Sequence, residues 1–97
     1  MVSFKNLLEF EWDKGNSGKN LSHHVEDQEA EEVFFDDRKR TFTDEIHSGH
    51  EERFCIIGKT KQRKLLFVVF TLRHQKIRII SARDVNKKEV GLYEKAA

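Results

Sequence analysis

The sequence predicts an α+β fold: a small antiparallel sheet, made of a three-strand meander and an N-terminal edge strand, with two helices before it and one C-terminal helix. Three observations point there. After residue 52, three runs rich in Ile, Val, Phe and Thr follow one another across links too short for a parallel crossover. A helical spacing of apolar residues precedes them, and a helix-capping signature follows the last. With 97 residues, 37% of them apolar, the chain is the size of one domain, residues 1–97, with one core.

In chain order, "LLEFEW" alternates Leu8, Phe10 and Trp12 with Glu9 and Glu11, a pattern suited to an edge strand. "WDKGNSGKNLSHH" predicts a short first helix capped by Asp13, although Gly15 and Gly18 each weaken it by roughly 1 kcal/mol relative to alanine. In "EDQEAEEVFF", Ala30, Val33 and Phe34 share one face at helical spacing while the glutamates point outward. The stretch "DDRKRTFTDEIHSGHEE" reads as a polar connection, and "RFCIIGKT" as sheet core ending at a glycine turn. "KLLFVVFTLR" is apolar on both faces, which marks a central strand. "KIRIISAR" puts Ile77 and Ile79 on one side and the heads of Lys76 and Arg78 on the other. Asn86 then caps a last helix with Glu89 reaching back, and Val85 and Val90 occupy the staple positions. That helix is expected to be short because Gly91 interrupts it.

Several classes drop out. One cysteine cannot close an internal disulfide, no apolar run reaches the roughly 18 residues of a membrane span, and the first residues do not read as a signal peptide, so a cytoplasmic protein is expected. His47, His50 and Cys55 lack the spacing and the second cysteine of a zinc set, so no metal or other cofactor is expected. Cys55 reads as a small buried hydrophobe. The net charge of +1 hides a division. Residues 26–37 carry seven acidic side chains and no basic one, whereas residues 59–88 carry ten Lys or Arg against Asp84 alone. A basic face of this kind attracts phosphates, although it also serves as a solvated exterior.

Several phrases together resemble one family. "FEWDKGN", "EAEEVFFDD", "HSGHEERFCIIGKT", "LLFVVFTLR", "IRIISARDVNKKE" and "LYEK" are similar, in order and over nearly the whole chain, to the BrnT family of type II toxins. The resemblance implies a RelE-like fold, ribonuclease activity that halts translation, and a BrnA-like antitoxin whose DNA-binding part reaches operator DNA. This chain would then touch operator DNA only through that partner. Departures exist as well. In "NLSHHVEDQ" the family's lysine is missing, and either His23 or His24 takes the place of its histidine. Val90 and Gly91 stand where basic residues are expected.

Metal-free RNA cleavage needs a base for the ribose 2′-hydroxyl, cations for the phosphate and an acid for the leaving oxygen. The nucleophile belongs to the substrate. The catalytic candidates are therefore His23, His24, Glu52, Arg63, Arg78 and Arg83, with Arg73, Lys76 and Tyr93 as RNA contacts. Each has an ordinary alternative: an ion pair with Asp84 or Glu52 for Arg83, solubility for Arg63 and Arg73, sheet packing for Tyr93. Trp12 reads as a core or edge anchor. Of Glu51 and Glu52, one orients an arginine or acts as base and the other is solvated. Two functions stay open: a ribonuclease toxin, or a weak or inactive member retained as an antitoxin-binding co-repressor.

Overall fold

The computed structural model describes residues 9–45, 49 and 51–95. Leu7, Leu8, His47 and His50 lie outside them. Four antiparallel strands, β1 (Arg40–Asp44), β2 (Arg53–Lys59), β3 (Leu65–Arg73) and β4 (Lys76–Asp84), stand side by side in chain order. Helix α1 (Asp27–Glu32) precedes the sheet and α2 (Lys87–Glu94) follows it.

The three expected strands are present, and β1 is an addition. "RTFTD" lies within the stretch read as polar, because an edge strand with alternating half-buried and exposed residues needs few apolar side chains. β3 runs between β2 and β4, and Leu66, Val68 and Phe70 are fully buried on the face toward α1. Gly58 does not form a turn. It lies inside β2, where a Cβ would stand 2.8 Å from the Val33 carbonyl oxygen, so its bareness lets α1 approach the sheet. The turn comes later, at residues 60–64, with Arg63 in the left-handed region at φ 68°. His74 and Gln75, both at positive φ, make the two-residue turn between β3 and β4.

Ala30, Val33 and Phe34 are solvent-free, as the helical spacing requires. α1 continues as a 3-10 turn, Val33–Phe35, which carries Phe34 into the centre. There Phe34 meets Phe10 at 5.4 Å and Phe70 at 4.9 Å, both edge to face. A side chain of this size buried from water contributes roughly 1.5–3 kcal/mol, and the ring pairs add more. The glutamates of α1 do not all point outward, since Glu31 accepts a 2.6 Å bond from Trp12 Nε1.

The expected first helix does not form. Residues 14–20 are successive turns, ending in a 3-10 turn at Leu21–His23. Asp13 does act as a cap, taking Gly15 N–H on its side chain and Ser17 N–H on its carbonyl. Helix propagation then fails for long-range reasons: Asn16 Nδ2 donates to the Ile79 carbonyl, and Asn20 Oδ1 accepts from Ala82 N–H. Both asparagines are buried against the rim of β4. Gly18 at φ 70° and His24 at φ 60° turn the chain between these anchors. Before them, among the described residues of the expected strand, 9–12, Phe10 makes one parallel bridge to Ile77 and no regular strand forms. The N-terminal segment thus covers the outer rim of β4, which would otherwise be an open sheet edge. On the other side of β4, where it pairs with β3, the register steps between Val69 and Phe70, with Ile80 as the extra residue of a bulge.

α2 begins as expected. Asn86 Oδ1 accepts Glu89 N–H at 2.9 Å and Glu89 Oε1 accepts Asn86 N–H at 3.0 Å. Gly91 does not stop it, and the helix runs through to Glu94. It docks on the sheet face opposite α1: Arg40 donates to the Leu92 carbonyl and the Lys59 ammonium lies 5.8 Å from the Tyr93 ring centre. At its far end Tyr93 donates a 2.6 Å bond to Asp36.

Candidate active site

Strand alternation and the bulge place Arg53, Arg73, Arg78 and Arg83 on the same outer face as α2, with Phe67 and Val69 between them. These arginines lie at two ends of that face. Arg83 stands opposite Phe67 near the start of β3, while Arg78 stands opposite Thr71 near its end.

At the first end the Arg83 guanidinium lies 4.4 Å from the Phe67 ring centre, stacked on an apolar floor. Nη1 and Nη2 each donate to a different oxygen of Glu89 at 2.8 Å, and Nη1 also reaches the Asp84 carbonyl at 3.0 Å. The pair is asymmetric in exposure: 42% of the Arg83 side chain meets solvent against 11% of Glu89. The Arg83 hydrogen bonds hold the Glu89 carboxyl below its usual range, and Glu89 in turn raises Arg83 further. Three of the five guanidinium N–H donors are engaged, and the rest remain for solvent or an anion.

At the other end Arg78 is enclosed. It donates to both oxygens of Asp13 at 2.9 and 3.0 Å and to Glu11 at 3.0 Å, and only 12% of its side chain is exposed. A Cβ on Gly15 would come within 2.7 Å of its Nη2, so the glycine leaves room for the guanidinium. Arg73 beside it forms a bidentate pair with Glu51 at 2.6 and 2.8 Å. These hydrogen bonds hold the Asp13 and Glu51 carboxyls below their usual range. An open cleft of about 240 Å³ lies here, bordered by Asn16, Glu51, Arg53, Thr71, Arg73 and Arg78. Lys76, farther out, stands 3.9 Å from Glu9.

The remaining candidates are dispersed. His23 and His24 are exposed on the turns before α1, and the His24 carbonyl accepts a 2.7 Å bond from Lys64. Lys64 directly precedes β3, so the histidines lie toward the Arg83 end of the sheet. Arg63 is exposed in the β2–β3 turn. Glu52 is exposed at the opposite end, next to Arg53 and Thr71, and it is Glu51 that orients an arginine. Tyr93 is 7% exposed, and burial together with its bond to Asp36 pushes its hydroxyl up to about 12. Its ring is therefore not presented for stacking. Cys55 lies half-buried on the outer face between Phe42 and Val69, its thiol pushed up by burial.

Sequence reasoning missed Glu89 as the partner of Arg83 and missed Glu11 and Asp13 as partners of Arg78. Glu89 carried a visible signal, the capping box, but that signal pointed to a helix start and not to an arginine. The family model described as "Ribonuclease toxin, BrnT, of type II toxin-antitoxin system" matches residues 12–89, a span that includes Arg53, Arg73, Arg78 and Arg83. No curated protein matches the chain.

Proposed function

Since the chain belongs to the BrnT family of ribonuclease toxins of type II toxin-antitoxin systems, we propose that it is a metal-independent endoribonuclease that arrests translation, with Arg83 binding the scissile phosphate. One observation supports Arg83 above Arg73 and Arg78: each is held by a bidentate carboxylate on the outer face, but Arg83 is the one stacked on an aromatic floor, with 42% of its side chain still exposed. The four-stranded antiparallel sheet, with a C-terminal helix docked on its outer face, also supports a RelE-like reading of the fold.

The reaction needs no nucleophile from the protein. A base removes the proton of the ribose 2′-hydroxyl, the 2′-oxygen attacks phosphorus, and the bond to the 5′-oxygen breaks as an acid protonates it. The products are a cyclic phosphate and a free 5′-hydroxyl. Charge gathers on the non-bridging oxygens, where the remaining N–H donors of Arg83 take it. His23 or His24, on the turns before α1 at the same end of the sheet, is our assignment for proton transfer, because an imidazole can both accept and give a proton. Arg73 and Lys76, both exposed, serve RNA beyond the cleavage point.

A type II system includes an antitoxin partner. We assign a BrnA-like protein that covers the arginine face with acidic segments and alone contacts operator DNA. No helix among the described residues is long and apolar enough to cross a membrane. A second reading, an inactive co-repressor, draws on one observation: Arg73, Arg78 and Arg83 are each already paired with carboxylates of the chain.

Cleavage of single-stranded RNA by the purified chain in EDTA tests the proposal. The expected result is cleavage that survives EDTA and is lost in Arg83→Ala. Cleavage abolished by EDTA would overturn metal independence. No cleavage and no growth arrest, with antitoxin binding retained, would favour the co-repressor.

A further inference from the structure

We infer that Glu89 is the positioning residue for Arg83, and that α2 serves to fix the plane in which that guanidinium meets a phosphate. The inference rests on Arg83 being the phosphate ligand. A planar fork is fixed by two restraints, one on its height and one on its in-plane rotation. Phe67 supplies the first, as a floor 4.4 Å below. Glu89 supplies the second, through two parallel hydrogen bonds of 2.8 Å.

Glu89 is itself immobilised. It is 8% exposed, and its Oε1 also accepts Asn86 N–H, so the carboxylate closes the first turn of α2 while it holds the arginine. The rest of α2 is fastened independently. Arg40 binds the Leu92 carbonyl, and Tyr93 binds Asp36, whose Oδ2 also accepts the β2 N–H of Lys59. Restraint therefore passes from the sheet through α2 and Glu89 to the exposed face of Arg83. Three donors are engaged and the others are left for substrate, so the carboxylate aims the guanidinium without using it up. Such aiming acts on the transition state more than on RNA affinity, since misplacement of a charge-stabilising group by about 1 Å costs on the order of 100-fold in rate.

The test is steady-state RNA cleavage by Glu89→Gln and Glu89→Asp, each with its melting temperature. Glutamine keeps one acceptor but loses the charged fork, so kcat is expected to fall about 10- to 100-fold while KM stays nearly constant. Aspartate keeps the charge and the favourable first-turn position, yet its shorter arm withdraws the fork. It is expected to recover the melting temperature but not kcat. A Glu89→Gln protein that cleaves as fast as wild type per folded molecule, or faster, would overturn positioning. Recovery of kcat in step with the melting temperature would overturn it too, by showing a cap and nothing more. Arg83→Ala separates the two readings: full cleavage in that variant removes the phosphate assignment itself, whereas loss there with an unchanged Glu89→Gln removes this inference alone.

Discussion

The two ends of the outer face use the same chemistry for different ends. Arg83 and Arg78 each meet a carboxylate through two hydrogen bonds. Arg83, however, takes one carboxylate and an aromatic floor and leaves 42% of its side chain in water, whereas Arg78 takes two carboxylates and leaves 12%. Sequence distance adds to the contrast. Glu89 is six residues from Arg83, within one strand-to-helix connection, while Asp13 and Glu11 come from the far N-terminal segment. The Arg78 pairs fasten that segment across the sheet, and the Arg83 pair orients a group that still faces solvent. An arginine on a basic face is thus not a binding arginine by position; what holds its guanidinium, and how much of the side chain is left exposed, separates Arg83 from Arg78.

The largest expected effect follows from this difference. Arg83→Ala should lower kcat by about 100- to 1,000-fold, the cost of removing one oxyanion-type donor, whereas Arg78→Ala should leave cleavage per folded molecule within a few-fold. Single-turnover kinetics normalised to folded protein make the comparison. Equal losses at both ends would break the distinction and turn the face into one continuous RNA site. Gly58→Ala provides the contrast at the shared support. Its new Cβ would meet the Val33 carbonyl at 2.8 Å, and overpacking of this kind costs roughly 1–3 kcal/mol. Chemical denaturation should show that loss, while kcat of the folded fraction remains that of the wild type.

Sequence patterns exposed what depends on neighbours along the chain and hid what depends on distant ones. β2, β3 and β4 were readable because burial imposes dense apolar runs. The capping box of α2 was readable because its two partners are three residues apart. β1 was obscured because an edge strand of Arg40, Thr41, Phe42, Thr43 and Asp44 offers one large apolar residue, though its Thr-Phe-Thr alternation was a signal. The false first helix shows the reverse case. Asp13 caps a turn as its neighbours predict, but Asn16 and Asn20 are committed to backbone groups of β4 more than sixty residues away. At the site, arginines on strand ends were visible. Their partners were not, because charge composition does not say which carboxylate reaches which guanidinium.

A smaller effect sharpens the structural half of the comparison. Arg78→Ala should lower stability by about 1 kcal/mol, a reduced figure because Asp13 is solvent-exposed and its attraction is screened. For a chain of this size that is a fall of roughly 4–8 °C in melting temperature. The difference between wild type and variant should shrink at high salt. A difference that stays the same in molar salt would mean that packing against the N-terminal segment, not charge, holds Arg78 in place.

An effect of similar size concerns the support behind Arg83, at the end of α2 remote from Glu89. Tyr93 donates to Asp36, and burial and that bond push its hydroxyl up to about 12. Asp36 is pushed up by burial, but hydrogen bonds from Tyr93, Arg38 N–H and Lys59 N–H outweigh this and leave its carboxyl lowered. A folded pKa raised above its unfolded value gives stability that is complete below the unfolded value, near 10, and disappears as pH rises through the folded one, near 12. Loosening of α2 is therefore expected between pH 10 and 12. The chain has one tyrosine, so absorbance of the phenolate reports this residue alone, and its midpoint should lie near 12. Tyr93→Phe leaves Asp36 bonded to Lys59 and should cost about 1 kcal/mol near neutral pH. A tyrosine midpoint near 10 would mean that this anchor is open in solution. In that case Glu89 would have to hold α2 and Arg83 without support from the far end of the helix.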